Sequence, residues 1–372
     1  MTDEKDEGRP SAAAAGAPAP PPEKKDGQDA DEETTDPHGA SPFDLLSLLR
    51  ACHEQEASDL LLTPGAPPTL RLDGALVATK HAPLESEDAK RLCRAVMNDE
   101  QLQRFASEGG LRFSFGVRDV ARFRGQVYRQ RSSISGVFHR IGVQPRPLAS
   151  LELPRADELV ARKRGLVLVA SPAGEGRSTT LASLVDKLNE ERGGHIVTLE
   201  APIEIIHGHK KSLVDQIELG TDASAERALE LIWRAAADVV VFGDLDSPAL
   251  VDGAVALAEA GKLVLGCVAA TSSAGALSRV MDLAPAAAKD AFPQRLARAL
   301  GSVVFQVLLP KATPPGKVVA FEVVDSTEGV RAAIRDGSVH HRTGFEDDVG
   351  AHPLQKSIDA LVEAGKVQRE AR

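Results

Sequence analysis

The run from Ser171 to Thr179 reads Ser-Pro-Ala-Gly-Glu-Gly-Arg-Ser-Thr and contains the residue types that bind phosphate. Gly174 and Gly176 would let the backbone curl around phosphate oxygens, because no Cβ stands in the way. The hydroxyl of Ser178 suits a Mg²⁺ ligand, whereas Arg177 stands where such a loop normally has Lys. The predicted phosphate-binding residues are Ser171, Gly174, Gly176, Arg177, Ser178 and Thr179, with Ser178 as the metal ligand.

Apolar runs on both sides of this loop predict the elements that would position it. Gly165–Ala170 is continuously apolar, which is typical of a buried parallel strand, and Thr180–Val185 predicts a helix. Strand, glycine loop and helix form the context that the motif requires. Further strand-like runs alternate with helices, so we predict an α/β fold with a mainly parallel sheet covered by helices. These runs are Leu166–Ala170, His195–Leu199, Val239–Phe242, Leu263–Val268 and Val303–Leu308.

Composition limits the classes of partner. The 372-residue chain has a formal net charge of −10, one Trp and one Tyr, which argues against binding to nucleic acid or to an anionic membrane surface. Three single cysteines, Cys52, Cys93 and Cys267, form no paired motif, which suits a reducing compartment and core positions. The chain shows neither a secretory signal nor an apolar run near the roughly 20 residues of a membrane-spanning helix. We therefore expect a cytoplasmic protein that meets a membrane only through partners.

Changes in composition divide the chain into three parts. Residues 1–41 contain no Leu, Ile, Val, Phe, Tyr or Trp, so we predict a disordered tail. Residues 42–145 mix helical and strand-like patterns and predict a small α+β domain, including one helix over Ser86–Ala106. Residues 146–372 hold the phosphate loop, the predicted parallel sheet and two C-terminal helical stretches.

Segments in both predicted domains resemble the type IV pilus retraction ATPases (PilT-like) of the secretion-ATPase family. The resemblance covers roughly residues 43 to 365, in colinear order, and residues 1–41 have no counterpart in it. The segments that carry it are Ser58–Pro68, Arg71–Gly74, Met97–Asp99, Val120–Arg124, Arg164–Val169, Thr198–Glu200, Pro202–Glu204 and Ser278–Val280.

This resemblance implies the architecture and the partners. It implies a PAS-like first domain, a RecA-like P-loop second domain, and ATP with Mg²⁺ bound between domains. It also implies a hexameric ring, in which hydrolysis rotates one domain against the other to work on pilin through an inner-membrane platform protein. The expected partners are therefore further ring subunits, either copies of this chain or an active paralogue, and the platform protein.

Compared with that family, the groups that phosphoryl transfer requires are altered. Arg177 replaces Lys, and a planar guanidinium is not equivalent to the point charge of an ammonium. Asp244 replaces the Glu after the central strand, and a misplacement of about 1 Å at a reacting group costs on the order of 10²-fold. Within the acidic segment, which is Glu200–Glu204, Ala201 replaces an Asp of the family, whereas Glu204 remains. Asp244 and Glu204 are therefore the candidate catalytic carboxylates.

The family's histidines and several of its arginines are also replaced. The two histidine positions carry Lys262 and Ala269, and Ala neither hydrogen-bonds a phosphate nor relays a proton. On the helix before the central strand, Glu230 replaces one arginine and Arg234 keeps the other, while Asp246 replaces an arginine after that strand.

Two arginines of the first domain are shifted by one residue. The family has Arg at positions that carry Ser132 and His139 here, while Arg131 and Arg140 stand next to them. A shift of one residue turns a strand side chain to the opposite face of its sheet. Neither arginine therefore need point at a nucleotide; a compensating local register slip is the alternative that stays open.

Together these substitutions favour an ATP-binding, hydrolysis-impaired protein that acts as a ring or regulatory subunit in pilus, twitching-motility or related secretion machinery. Two alternatives stay open: an active, slow ATPase that drives pilus retraction, and an adaptor or signalling module on the same fold. Elsewhere, we expect His207 and His209 to lie in a solvated loop rather than to bind metal, and Trp233 to pack in a helix.

Overall fold

The computed structural model of this chain describes residues 43–72, 74–141, 144–314, 316–342, 344–345 and 351–368. The disordered tail predicted for residues 1–41 lies outside these described residues. Across the described ranges, every helix is too short or too polar to cross a membrane.

An antiparallel six-stranded sheet forms the first part of the described chain. Its strands are β1 (Asp59–Leu62), β2 (Thr69–Leu72), β3 (Ala75–Ala78), β4 (Gly110–Val117), β5 (Ala121–Gln130) and β6 (Ser133–Ile141). Their order is β3-β2-β1-β6-β5-β4. Alternate side chains point to opposite faces of a sheet, and here Phe113, Phe123 and Phe138 are buried on one face. The paired Ser114 and Arg124 lie on the other face, which is polar.

Three helices accompany this sheet: α1 (Leu45–Glu54), α2 (Ser86–Arg94) and α3 (Asp99–Glu108). The prediction of one helix over Ser86–Ala106 is wrong, because Asn98 begins a new helix. The Asn98 side chain accepts a hydrogen bond from the Gln101 backbone N–H at 2.8 Å, and the Gln101 side chain accepts one from the Asn98 N–H at 3.1 Å. This reciprocal capping box satisfies amides that a continuous helix would have paired internally.

A seven-stranded sheet forms the second part of the described chain. Its strands are β7 (Gly165–Ser171), β8 (His195–Glu200), β9 (Leu213–Glu218), β10 (Val239–Phe242), β11 (Leu263–Ala269), β12 (Leu300–Pro310) and β13 (Lys317–Asp325). The order is β13-β12-β7-β11-β10-β8-β9, and all neighbours are parallel except β12 and β13. The five predicted runs are strands, and the α/β class is confirmed, whereas the sequence had not indicated β9 or β13.

Helices cover both faces of this sheet. They are α4 (Ala156–Ala161), α5 (Arg177–Glu191), α6 (Ala225–Arg234), α7 (Pro248–Glu259), α8 (Ser273–Asp282), α9 (Phe292–Ala299), α10 (Glu328–Arg335) and α11 (Leu354–Glu363). Along β7, Leu166, Leu168 and Ala170 join one core, while Val167 and Val169 join the other. Burial on both faces explains why the strand is continuously apolar.

Three expectations about single side chains can be compared with the fold. The three cysteines are buried, as expected. His207 is only 7% exposed, so its solvated-loop assignment is wrong. Trp233 is 48% exposed rather than packed, because Ala228 and Ile232 form the buried face of α6 and residue 233 is turned about 100° from Ile232.

The capping box gives a first stability test. Replacing Asn98 by Ala removes the acceptor for the Gln101 amide and should lower the free energy of unfolding by about 1 kcal/mol. Asn98→Asp keeps an acceptor at the same place and should remain close to wild type. Urea denaturation measures both, and an unchanged Asn98→Ala stability would contradict the role assigned to this cap.

Candidate functional site

The predicted phosphate loop joins β7 to α5 as the sequence indicates. Ser171 ends the strand and is buried, and Gly174 and Gly176 adopt positive φ angles of +79° and +81°. Glycine is the residue that takes up such left-handed backbone without steric cost. Among the described residues, no side chain caps the start of α5, so its first amides face an open loop. Unpaired amides at a helix N-terminus favour an anion.

Arg177 lies at the first turn of α5, and its guanidinium reaches Asp244. The distance from Arg177 Nη1 to Asp244 Oδ1 is 3.6 Å, which is an ion pair without a close hydrogen bond. Nη1 is buried and has no hydrogen-bond partner among the described residues. Burial raises the pKa of the Asp244 carboxyl, and the Arg177 charge opposes that rise.

Backbone hydrogen bonds to the strands on either side of β10 fix the position of Asp244. The backbone N–H of Gly243 donates to the Leu199 carbonyl at 2.8 Å, and the N–H of Leu245 donates to the Cys267 carbonyl at 2.8 Å. A Cβ at Gly243 would lie 3.3 Å from the Leu199 oxygen, so a side chain there would crowd the close approach of Gly243 to β8. Asp244 is therefore presented at the carboxyl edge of the sheet, on the same side as the phosphate loop.

The two glutamates of the acidic segment are both engaged. Glu200 accepts hydrogen bonds from Thr198 Oγ1 at 2.7 Å and from Gln216 Nε2 at 3.0 Å. Burial raises the pKa of Glu200, although these two bonds oppose the rise. Glu204 forms an ion pair with Arg124 of β5. Glu204 is thus held by the polar face of the first sheet, and not by a residue of the phosphate loop.

Further polar contacts join that face to the acidic segment. Arg112 Nη2 donates to the Ala201 carbonyl at 3.2 Å, and Arg122 Nη2 donates to the Ile203 carbonyl at 3.1 Å. The Arg112 charge also opposes the rise in the pKa of the Asp244 carboxyl. The sequence had not assigned a site role to these arginines. The alternation of polar residues along β4 and β5 could have indicated that these arginines share one polar face. It could not have indicated that this face contacts the acidic segment.

A cavity of about 600 Å³ lies beside the start of α5. A volume of this size is within the range of small-molecule sites and would accept the nucleoside part of a nucleotide. Its polar lining includes Thr179, Thr180, Gln306, Lys311, Lys317 and Lys366.

The structure separates the two former histidine positions. Ala269 ends β11 and is paired with Ser171 next to the phosphate loop. Lys262 precedes β11 at the opposite edge of the sheet, where its Nζ donates to the Ala237 carbonyl at 2.6 Å. The intervening seven-residue strand spans about 23 Å at roughly 3.3 Å per residue, so Lys262 does not reach the loop.

The shifted arginines also lie away from the loop. Arg131 and Ser132 form the exposed turn between β5 and β6, with φ angles of +46° and +61°. Arg140 Nε donates to the Ala57 carbonyl at 3.0 Å, on the face opposite to Arg124. His139 Nδ1 lies 2.9 Å from Asp59 Oδ1. These contacts agree with the expectation that a one-residue shift redirects the side chain.

The residues present fit a nucleotide phosphate with Mg²⁺. The buried Nη1 of Arg177 lacks a hydrogen-bond partner within the described ranges, and Gly174 has open space where a Cβ would stand. The exposed Ser178 stands in the first turn of α5, where its hydroxyl would complete a metal shell together with phosphate oxygens. The described residues hold no cluster of three His, Cys, Asp or Glu side chains suited to a metal ion on their own.

Comparison with known proteins decides the family. Residues 130–361 match the Type II/IV secretion system protein family. The chain belongs to this family. It is 35% identical over 338 residues to the type IV pilus retraction ATPase PilT of Pseudomonas aeruginosa, covering 88% of this chain and 96% of that protein. The PilT-like resemblance seen in the sequence is therefore confirmed.

A second relative and one solved structure support the same family membership. The type IV pilus ATPase PilU of Pseudomonas aeruginosa is 35% identical over 300 residues, which cover 80% of this chain and 78% of PilU. The crystal structure of the pilus retraction motor PilT with bound ADP has a TM-score of 0.77 and 32% identity. It aligns with 88% of this chain and 96% of that one.

The Arg124–Glu204 pair gives a test of the site's electrostatics. The Arg124 side chain is 33% exposed and that of Glu204 only 22%, so Arg124→Gln leaves a largely buried carboxylate unpaired. The expected loss is about 1–3 kcal/mol of unfolding free energy. In a double-mutant cycle with Glu204→Gln, we expect a coupling of at least about 0.5 kcal/mol.

A matched control comes from Arg104 in α3. Arg104→Gln removes a more exposed arginine that donates to the Gly220 carbonyl, and should change stability by less than about 0.5 kcal/mol. Urea unfolding of the four variants measures these terms. Additive single effects would show that Arg124 and Glu204 are not energetically paired.

Proposed function

We propose that this chain binds ATP with Mg²⁺ at its phosphate loop and is impaired in hydrolysis, serving as a pseudo-ATPase subunit of pilus-retraction machinery. The observation that carries the proposal is the ion pair between Arg177 and Asp244, the two positions where this chain departs from the family's Lys and Glu. One of them should contact phosphate and the other should orient water.

Nucleotide binding rests on groups that the chain keeps. The left-handed glycines, the uncapped start of α5 and the partly buried guanidinium of Arg177 together favour an anion. Ser178 is proposed as the Mg²⁺ ligand, with Ser171 and Thr179 completing the loop. The related PilT has been crystallised with ADP, which supports a nucleotide as the ligand of this loop.

The same pair accounts for impaired hydrolysis. Mg²⁺, when bound, would neutralise charge on the transferring phosphate. The protein must add a carboxylate that positions water, and Asp244 is one methylene shorter than Glu and faces Arg177. Glu204, the other candidate, is paired with Arg124. Ala269 supplies no hydrogen bond beside the loop. Each carboxylate thus has a basic partner, Arg177 for Asp244 and Arg124 for Glu204.

The assembly follows as part of this proposal. We propose residues 42–145 as a PAS-like domain and 146–372 as a RecA-like domain, preceded by a tail over 1–41. The domains would form a cytoplasmic hexameric ring with further copies or an active paralogue, which engages an inner-membrane platform protein. The similarity to both PilT and PilU, each named as a pilus ATPase, supports this placement.

A slow but active ATPase is the second candidate. Asp244 keeps a carboxylate at the carboxyl edge of the sheet, and its side chain is 46% exposed, so solvent reaches it. A water bridging Asp244 to the phosphate would recover part of the lost reach. The two candidates predict different rates for the same protein.

Restoring the family's residues tests the proposal. We expect the wild-type protein to hydrolyse Mg-ATP at background rate, and Arg177→Lys combined with Asp244→Glu to raise the rate at least about tenfold, because reach and point charge return together. Adding Asp244→Ala to Arg177→Lys is the control and should return the rate to background. Slow turnover by wild type that is clearly above background and that Asp244→Ala abolishes would instead establish the slow-ATPase alternative.

Binding is tested separately from turnover. At a hundredfold excess over the dissociation constant, ADP should stabilise the wild-type fold by about 2.7 kcal/mol. Replacing Arg177 by Ala should reduce that stabilisation, since the buried cation would be lost. Thermal unfolding with and without ADP measures the effect, and a melting temperature that ADP leaves unchanged would refute nucleotide binding.

A further inference from the structure

The phosphate loop carries a carboxylate of its own at Glu175, between the two glycines. An acidic side chain in such a loop would repel a phosphate if it turned inward. In the structure it turns towards β12, where Glu175 Oε2 accepts a hydrogen bond from the Leu308 backbone N–H at 2.6 Å. The charge is therefore used in a contact within the protein.

A second bond ties the same residue to the same strand. Gln306 Nε2 donates to the backbone carbonyl of Glu175 at 2.5 Å. Gln306 is 1% exposed, so its amide is fixed by packing. A Cβ at Gly176 would stand 3.3 Å from Gln306 Nε2, which shows how closely the loop backbone approaches this strand. Backbone and side chain of Glu175 are thus both attached to β12.

The sheet topology explains why β12 has a free donor here. β12 pairs with β7 up to Phe305 and Ala170, and β7 ends one residue later at Ser171. On its other side, β12 continues in its ladder with β13 through Leu308 and Val319. Beyond the end of β7, no strand within the described ranges lies next to the Leu308 amide on the β7 side. Glu175 supplies the acceptor for this partly buried N–H group.

We propose that Glu175 and Gln306 are positioning residues that clamp the phosphate loop to β12 in its binding shape before any nucleotide arrives. A glycine-rich loop that ordered only on binding would lose affinity to the entropy of ordering. The clamp removes that loss, and it also keeps the Glu175 charge off the phosphate. The effect on affinity rests on the proposed nucleotide binding, whereas the two hydrogen bonds of the clamp join residues of this chain alone.

The test compares four variants of the full chain. Glu175→Ala removes the carboxylate acceptor, Gln306→Ala removes the amide donor, and Glu175→Gln keeps an acceptor oxygen without charge. Glu191→Ala removes a carboxylate at the far end of α5 as a control. Amide hydrogen exchange of nucleotide-free protein reports on loop residues 173–177 and on the Leu308 N–H, and calorimetry gives the dissociation constant for ADP.

We expect Glu175→Ala and Gln306→Ala to speed loop exchange and to weaken ADP binding, each by about tenfold. Exchange of the Leu308 amide should rise in Glu175→Ala. Glu175→Gln should stay within about twofold of wild type, because its amide oxygen still accepts from Leu308. Glu191→Ala should behave as wild type.

Three results would overturn the proposal. They are unchanged loop exchange in both alanine variants, faster exchange with unchanged ADP affinity, and a Glu175→Gln variant as impaired as Glu175→Ala, which would show that charge rather than the hydrogen bond matters. If wild type binds no ADP, the proposed function fails, and the exchange measurements alone then decide whether the clamp exists.

Discussion

Parallel pairing of β8, β10, β11 and β7 is the constraint on which the site depends. Parallel strands end at one common edge, so the acidic segment after β8, Asp244 after β10, Ala269 at the end of β11 and the loop after β7 come together although they are far apart in sequence. The apolar ladder that fixes this edge is buried on both faces. Substitutions at this edge can therefore change the chemistry of the site without disturbing the buried framework of the fold.

At that edge, three charged side chains of the site have partners within the protein. Arg177 faces Asp244, Glu204 faces Arg124, and Glu175 accepts from β12. A nucleotide would have to compete for Arg177 with Asp244, whereas Glu204 is held from the first sheet. In this arrangement Arg177, which would bind phosphate, and the carboxylates of Asp244 and Glu204, which would orient water, are all held in ion pairs. These ion pairs are the physical basis of the proposed loss of turnover.

The sequence predicted the buried framework better than the contacts made across it. Strands such as Leu166–Ala170 are visible because burial on both faces leaves a continuous apolar run. β9 was missed because it is an edge strand whose Asp215 and Gln216 interrupt any such pattern. The helix break at Asn98 depends on a capping bond that competes with a helical pattern of similar strength. Periodicity indicates which side chains are buried locally, but it does not show whether a capping bond or a continuous helix is more stable.

The candidate site was predicted in its parts and not in its pairings. The loop residues and the altered Asp244 followed from motif and resemblance, and the structure places them at one edge. The engagement of Glu204 by Arg124 could not be read from the sequence, because 80 residues separate the two in the chain and only the docking of the first sheet brings them together. The role of Glu175 was also hidden in the sequence, because it depends on the Leu308 amide, which lies beyond the end of the β7–β12 pairing.

The most direct measurement is a crystal structure of the full chain with Mg²⁺ and a non-hydrolysable ATP analogue. We predict phosphates cradled by residues 172–178, with Arg177 on phosphate oxygens and neither Asp244 nor Glu204 within about 3.2 Å of a water in line with the terminal phosphate. A structure in which either carboxylate holds that water in line for attack would contradict the proposed loss of hydrolysis.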